Sequence, residues 1–291
     1  MCAMPPQTLS LTHERERSRV GPFAVHGTSF VIESNEPSMA ADLDARLRDL
    51  RVEIADGSPI VYTVDRHGPP WASHPWGVWR DGEPCETTLI PTYVVDYLLW
   101  EITRLLLENV APHVPIISGA VTLDGRAMVL AGPAQAGKAT LTTWLATRGW
   151  GFLTDEVATL DLSGDCPVFQ PFWRPVGIRR GGPLESVVPA DDTDDPAVVP
   201  ASTIGSLSSA APLSAVVLPA YSPGHAHDLE PLTPAQTLAG LTEHLPLMGQ
   251  PGRQSFAGLA RVAEAVPGYS LRVDDLDEAE ERLRALVRGL T

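Results

Sequence analysis

Residues 126–157 read RAMVLAGPAQAGKATLTTWLATRGWGFLTDEV, with GPAQAGKAT at 132–140. Gly132, Gly137 and Lys138 complete the spacing G-x-x-x-x-G-K of a phosphate-binding loop, while the next position, where a Ser or Thr hydroxyl would ligate magnesium, holds Ala139. Such a loop works because backbone N–H groups, freed by glycine, point at phosphate oxygens, and the helix that follows adds its positive end. The flanks supply that setting. "AVTLDGRAMVLAG" predicts a hairpin turning at Asp124 and Gly125, then a buried strand entering the loop. "KATLTTWLATRG" predicts a helix with Leu141, Trp144 and Leu145 on one side and Gly149 ending it, and "GFLTDEV" predicts the next strand. Strand, glycine loop, helix and strand define an α/β fold with a P-loop, the competing reading being a plain glycine turn between strand and helix.

The chain holds 21 basic residues, of which Lys138 is the one lysine. In an arginine-biased sequence, a lysine kept at this spot points to a need for a compact ammonium, which the planar guanidinium fork replaces poorly. Asp155 and Glu156 close the next strand, seventeen residues on (155 − 138). A carboxylate at the carboxyl end of a strand beside such a loop can hold magnesium or take a proton from an attacking hydroxyl; the alternative is an acidic pair opening a turn. "PFWRPVGIRR" then brings Arg174, Arg179 and Arg180, which can neutralise phosphoryl charge or sit on the surface as ordinary arginines. Trp144 reads as core packing rather than base stacking, and His113, His225 and His227 as unspecialised histidines.

The 291 residues are 44% hydrophobic, with no internal repeat. Residues 1–21 read as a flexible leader, charged rather than apolar at Glu14 to Arg17, so no signal peptide is legible. Residues 22–112 predict a small α+β N-terminal part, with strands in "FVIES", "IVYTV" and "WGVWR", a helix over 39–50, and an amphipathic helix over 93–110 carrying Val94, Val95, Leu98, Leu99, Ile102, Leu105 and Leu106 on one face. Asp96, Glu101, Arg104 and Glu108 interrupt that apolar run, which excludes a membrane span and places the protein in the cytoplasm. Residues 113–291 form the nucleotide-binding part, with 189–213 as a long acidic loop. Beyond it come a short strand "SAVVLPA", a capping box on Thr233 and Gln236, and a C-terminal helix with Leu276, Ala279, Leu283 and Leu286 in a stripe and Glu278/Arg282 and Glu280/Arg284 as pairs. Cys2, Cys85 and Cys166 are spaced for neither disulfides nor zinc. A net charge of 21 − 36 = −15 argues against nucleic acid and anionic membranes as partners and leaves a basic peptide or protein, while a homo-oligomer stays open.

"SGAVTLDGRAMVLAGPAQAGKATLTTWLATRGWGFLTDEV" resembles the HPr kinase/phosphorylase-like P-loop kinases, whose C-terminal domain has a phosphoenolpyruvate-carboxykinase-like nucleotide fold, a sheet flanked by helices. "PFWRPVGIR" and "PGYSLRVDDLDEAEERL" look like distant relatives found beside peptide-modifying enzymes in bacterial biosynthetic clusters. The resemblance implies that Gly132, Pro133, Ala134, Gln135, Ala136, Gly137, Lys138, Ala139 and Thr140 bind the phosphates of ATP. It further implies that Asp155 and Glu156 share magnesium binding and activation of an acceptor hydroxyl, and the loop chemistry and the charge of Arg174 place Lys138 and Arg174 beside them in catalysis. Two positions depart from the pattern: Ser118 stands where the family has a histidine assisting the carboxylate, and Ala139 where it has the magnesium-ligating hydroxyl. The expected function is therefore an ATP-dependent kinase acting on a hydroxyl, such as a Ser of a peptide or protein, against a nucleotide-binding accessory protein of decayed catalysis, or a binding protein with a vestigial loop.

Overall fold

The computed structural model describes residues 16–54, 57–68, 72–73, 75–187, 196–224, 228–246 and 253–290. The first part holds β1 (Ser18–Val25), β2 (Thr28–Ser34), α1 (Pro37–Arg46), β3 (Ile60–Arg66), β4 (Trp76–Arg80), β5 (Glu83–Leu89) and α2 (Pro91–Glu108). Its strands pair in chain order, with β2 and β3 parallel and the other neighbours antiparallel. Phe23, Phe30, Ile32, Tyr62, Val64 and Val78 face Val94, Leu98, Ile102 and Leu105 of α2, so the helical period of α2 and the period of two in the strands meet in one core. Val95 lies only partly buried at its margin.

The second part runs β6 (Val114–Leu123), β7 (Arg126–Ala131), α3 (Lys138–Thr147), β8 (Gly151–Thr154), β9 (Val157–Asp161), β10 (Val168–Gln170), β11 (Val176–Ile178), β12 (Ala197–Val199), β13 (Ala211–Tyr221), β14 (Leu229–Leu232), α4 (Pro234–Thr242), α5 (Arg253–Ala265), β15 (Gly268–Val273) and α6 (Leu276–Gly289). Its main sheet has the order β10-β9-β6-β7-β13-β15-β14, with β8 also on β6. β13 runs parallel to both β7 and β15, and β6 antiparallel to β7. Alternation along β7 explains the layering. Met128 and Leu130 point to Leu141 and Leu145 of α3 and Leu283 and Val287 of α6, whereas Val129 and Ala131 point to Leu241 of α4 and Leu259 and Val262 of α5. The architecture is thus mixed α/β, a sheet with helices on both faces.

Local signals explain the element ends. Asp124 and Gly125 both have positive φ, 51° and 75°, the two-residue turn that joins antiparallel strands without splaying them. Thr233 accepts from the Gln236 backbone N–H while the Gln236 side chain accepts from Thr233, a reciprocal cap on α4. Glu280 pairs with Arg284 on α6 and also accepts from the indole N–H of Trp150, whose ring is fully buried. Val287, rather than Leu286, completes the buried stripe with Ala279 and Leu283.

Several expectations are corrected. Within the expected leader of 1–21, Ser18 already opens β1, because pairing with β2 overrides a polar stretch that lacks clear alternation. Residues 1–15 fall outside the described residues. The acidic loop expected over 189–213 is ordered chain from residue 197: β12 pairs with β11, a short 3-10 turn covers Ala201–Thr203, and β13 begins at Ala211, well before "SAVVLPA". Its aspartates, Asp191 to Asp195, lie outside the described residues, as do His225 and His227. β5, a polar edge strand reading EPCETTL, carries no hydrophobic pattern to announce it. Among the described residues no helix is long and apolar enough to cross a membrane.

The two parts share contacts. Val157, Phe172 and Val198 of the second part are buried in the core of the first. His26, at the β1–β2 turn, bonds Thr159 of β9 at 2.8 Å and meets His113 edge to face, and burial together with His113 pushes its pKa down to about 4.

α3 crosses β6 at its tightest where Gly119 faces Thr142, leaving no room for a methyl group. We expect Gly119→Ala to lower stability by about 1–3 kcal/mol through this overlap, read as a fall in thermal midpoint.

Candidate functional site

β7 delivers the chain into the loop, and α3 carries it away. Pro133, Ala134 and Gln135 are exposed, Gln135 and Gly137 have φ of 67° and 86°, and Gly137 forms the left-handed N-cap of α3. A side chain at Gly137 would strain that backbone, and one at Gly132 would press on the Pro219 carbonyl oxygen at 3.2 Å. The left-handed backbone at Gly137 favours glycine, and the space beside Gly132 is tight. The Lys138 ammonium folds back to donate to the carbonyl oxygens of Gly132 (2.6 Å) and Pro133 (2.8 Å). Burial lowers its pKa, with Glu156 acting in the opposite sense. Ala139 and Thr140 are exposed on the first turn of α3, so the Thr140 hydroxyl sits one place beyond the usual ligand position.

The carboxylates arrive through β6. The first half of β6 pairs with β9 from Ile117↔Val157, and its second half with β8 from Ala120↔Thr154. Asp155 and Glu156 occupy the break between β8 and β9, where the Ser118 N–H donates to the Glu156 carbonyl oxygen at 3.1 Å. Ser118 is also the partner of Ala131, the last residue before the loop. One row across three strands therefore sets the loop and the acidic pair side by side. Ser118 itself is wholly buried, and its hydroxyl reaches only the Ile116 carbonyl, at 3.5 Å.

The two acids differ in environment. Asp155 is buried, and its Oδ1 has no hydrogen-bond partner. Burial pushes its pKa up to about 6, against the charge of Arg174, while Glu156 adds to the rise. The Glu156 side chain is 46% exposed and lies 3.9 Å from the guanidinium of Arg174, itself 17% exposed. Arg174 also donates to Thr103 Oγ1 of α2 at 3.2 Å. Of the three arginines considered, Arg174 joins the acids; Arg179 is exposed and Arg180 half-buried past β11.

His244 was not foreseen. It follows α4, its carbonyl oxygen accepts from the Ile117 N–H at 2.8 Å, and burial and then the charge of Lys138 lower its pKa. No sequence spacing announces a histidine 106 residues from the lysine it faces (244 − 138). Trp144 packs against the cluster of Ala146, Phe152 and Ile204 with Arg148 over its ring, as a core residue would. Cavities of about 160 and 270 Å³ lie away from the loop, the first lined by Phe172, Trp173 and Asp49 and the second by Glu36, Asp42 and Trp76.

No protein-family model matches the chain, and no curated protein does. Among solved structures the chain is similar to the Hpr(Ser) kinase/phosphatase from Coxiella burnetii, with 10% identity and a TM-score of 0.38 over 60% of this chain and 88% of that one. A likeness of that size carries no activity from one chain to the other.

The residues present fit a nucleoside triphosphate with magnesium. The unpartnered, buried Asp155 oxygen is a ready cation or proton acceptor, and the ammonium, loop amides and helix N-terminus are donors for phosphate. Among the described residues no cluster of three or more His, Cys, Asp or Glu side chains could hold a metal alone. Magnesium bound through one or two carboxylates plus substrate phosphates needs no such cluster.

Proposed function

We propose that this protein is a cytoplasmic ATP-dependent phosphotransferase that moves a γ-phosphoryl group to a hydroxyl, such as a Ser of a basic peptide or protein made in a bacterial biosynthetic pathway. The observation that carries the reading is Asp155, a buried carboxylate with an unpaired oxygen in the strand row that leads into a lysine-bearing glycine loop. The loop amides and Lys138 hold the phosphates, with Lys138 exchanging the carbonyls of Gly132 and Pro133 for phosphate oxygens. Asp155, more basic than a free aspartate, takes the acceptor's proton while the acceptor oxygen bonds to the γ-phosphorus and the bond to the β–γ bridging oxygen breaks. Arg174, anchored on Thr103 and 3.9 Å from Glu156, supplies fixed positive charge beside the acidic pair for the phosphoryl group. Magnesium, held by Asp155 and Glu156, would supply charge neutralisation at the phosphate oxygens.

The residues 113–291 act as the nucleotide-binding unit in this reading, and residues 22–112 support it. Incubating the protein with Mg-ATP and basic peptides encoded near its gene, with mass spectrometry for an added phosphate, tests the reading; no added phosphate on any peptide, and no ATP hydrolysis, would remove it. A second reading, a nucleotide-binding accessory protein, is favoured by Ala139 and by the wholly buried Ser118. Ala139→Ser separates them. On a working kinase we expect a change in turnover smaller than about tenfold, since tenfold is about 1.4 kcal/mol and the carboxylates already provide for the metal. Turnover appearing only in the Ser variant identifies the accessory protein.

A further inference from the structure

The end of β13 lies directly against the loop. The Pro219 carbonyl oxygen abuts Gly132, and the Cβ of Tyr221 lies 4.0 Å from where a Cβ on Gly137 would stand. The same short run of chain thus touches both glycines of the motif. β13 is parallel to β7, so its carboxyl end emerges on the side of the sheet from which the loop also emerges. Pro219 is buried there, yet Tyr221, two residues on, is 60% exposed. Tyr221 pairs with Val273 of β15, and the next N–H, of Ser222, donates to the Val273 carbonyl at 2.9 Å, which fixes the strand end. A large aromatic ring is therefore held at the rim of the phosphate cradle, on rigid backbone, with most of its surface open.

Phosphates seated in the loop fix one end of a nucleotide and leave its base to settle on whatever flat apolar surface the rim offers. Every nucleobase has a π face, and stacking on an aromatic side chain is worth about tenfold or more in affinity. Trp144, on α3 itself, is partly buried against Ala146, Phe152 and Ile204 with Arg148 over its ring, and Trp150 is fully buried. We infer that Tyr221 forms the nucleobase subsite of the loop, taking the planar base of a nucleoside triphosphate by stacking. This rests on the nucleotide-binding reading of the loop and adds to it the group that separates a nucleotide from a bare polyphosphate. Stacking by one exposed ring discriminates weakly between purines, so adenine and guanine nucleotides would bind within a few-fold of each other.

The test uses the full chain in calorimetric titrations with Mg-ATP and with Mg-tripolyphosphate, which offers the phosphates without a base. Wild type is expected to bind ATP more tightly than tripolyphosphate. Tyr221→Ala should weaken ATP about tenfold and leave tripolyphosphate within about twofold, while Tyr221→Phe, which keeps the ring, should bind both like wild type. Equal ATP affinity in Tyr221→Ala and wild type would overturn the subsite while leaving the loop reading intact, as would an equal loss for both ligands. Binding of neither ligand by wild type would overturn both.

Discussion

Replacing Lys138 by alanine is expected to lower phosphoryl transfer by about 10²–10³-fold and to abolish the tight binding of Mg-ATP, since it removes the loop's one positive side chain. Loss of two hydrogen bonds to the Gly132 and Pro133 carbonyls also frees the loop, so binding falls together with turnover. Steady-state kinetics and titration calorimetry on the same preparation read both effects. The lone lysine offers an independent check. Lys138 is the one lysine side chain that an amine-directed reagent can modify in this sequence. Bound Mg-ATP should shield Lys138 from that reagent, as peptide mapping would reveal. Unchanged labelling with saturating ATP, or wild-type turnover in the alanine variant, would rule out the role.

Asp155→Asn is expected to act in opposite directions on function and stability. Losing the proton acceptor should lower transfer by about 10²–10⁴-fold. The variant's stability relative to wild type should rise with pH. The Asp155 carboxyl has an ordinary value of 3.8 and a folded value of about 6, so the folded state holds its proton more tightly than the unfolded chain does. Below pH 3.8 both states are protonated and nothing is lost. As pH rises from there through 6, the buried carboxylate opposes folding, reaching about 3 kcal/mol once both states are ionised. The amide of Asn carries no charge to desolvate, so the variant should gain about 1–3 kcal/mol over wild type at pH 8 and much less at pH 4.5, measured by urea unfolding at each pH. Adding Mg-ATP should stabilise wild type more than the variant, which keeps the loop and Lys138 but loses one magnesium ligand. A variant less stable than wild type at pH 8 would mean that burial of the carboxylate does not outweigh the charge of Arg174.

What the sequence disclosed was chemistry confined to neighbours along the chain. The Asp124-Gly125 turn, the left-handed Gly137, the reciprocal cap on α4 and the loop itself each depend on residues within a few positions. Asp155 and Glu156 were also legible, because a strand end announces itself locally. What stayed hidden depends on long reach. Arg174 was expected beside the acids, but its hold on Thr103, 71 residues away, was not legible. His244 and Tyr221 reach the loop only through the strand order, and nothing in "HLPL" or "LPAY" marks them. β1 and the ordered chain past residue 197 were missed because pairing with distant strands, not their own composition, makes them strands.

Arg174 bonds α2 through Thr103, and Val157 and Phe172, which flank the acidic pair and the arginine, are buried among N-terminal side chains. A chain cut before residue 113 would strip the greasy wall from behind Glu156 and leave Arg174 without its anchor. The two parts therefore cannot be traded like interchangeable modules: whatever grips the N-terminal sheet also pulls on the positive charge beside Glu156.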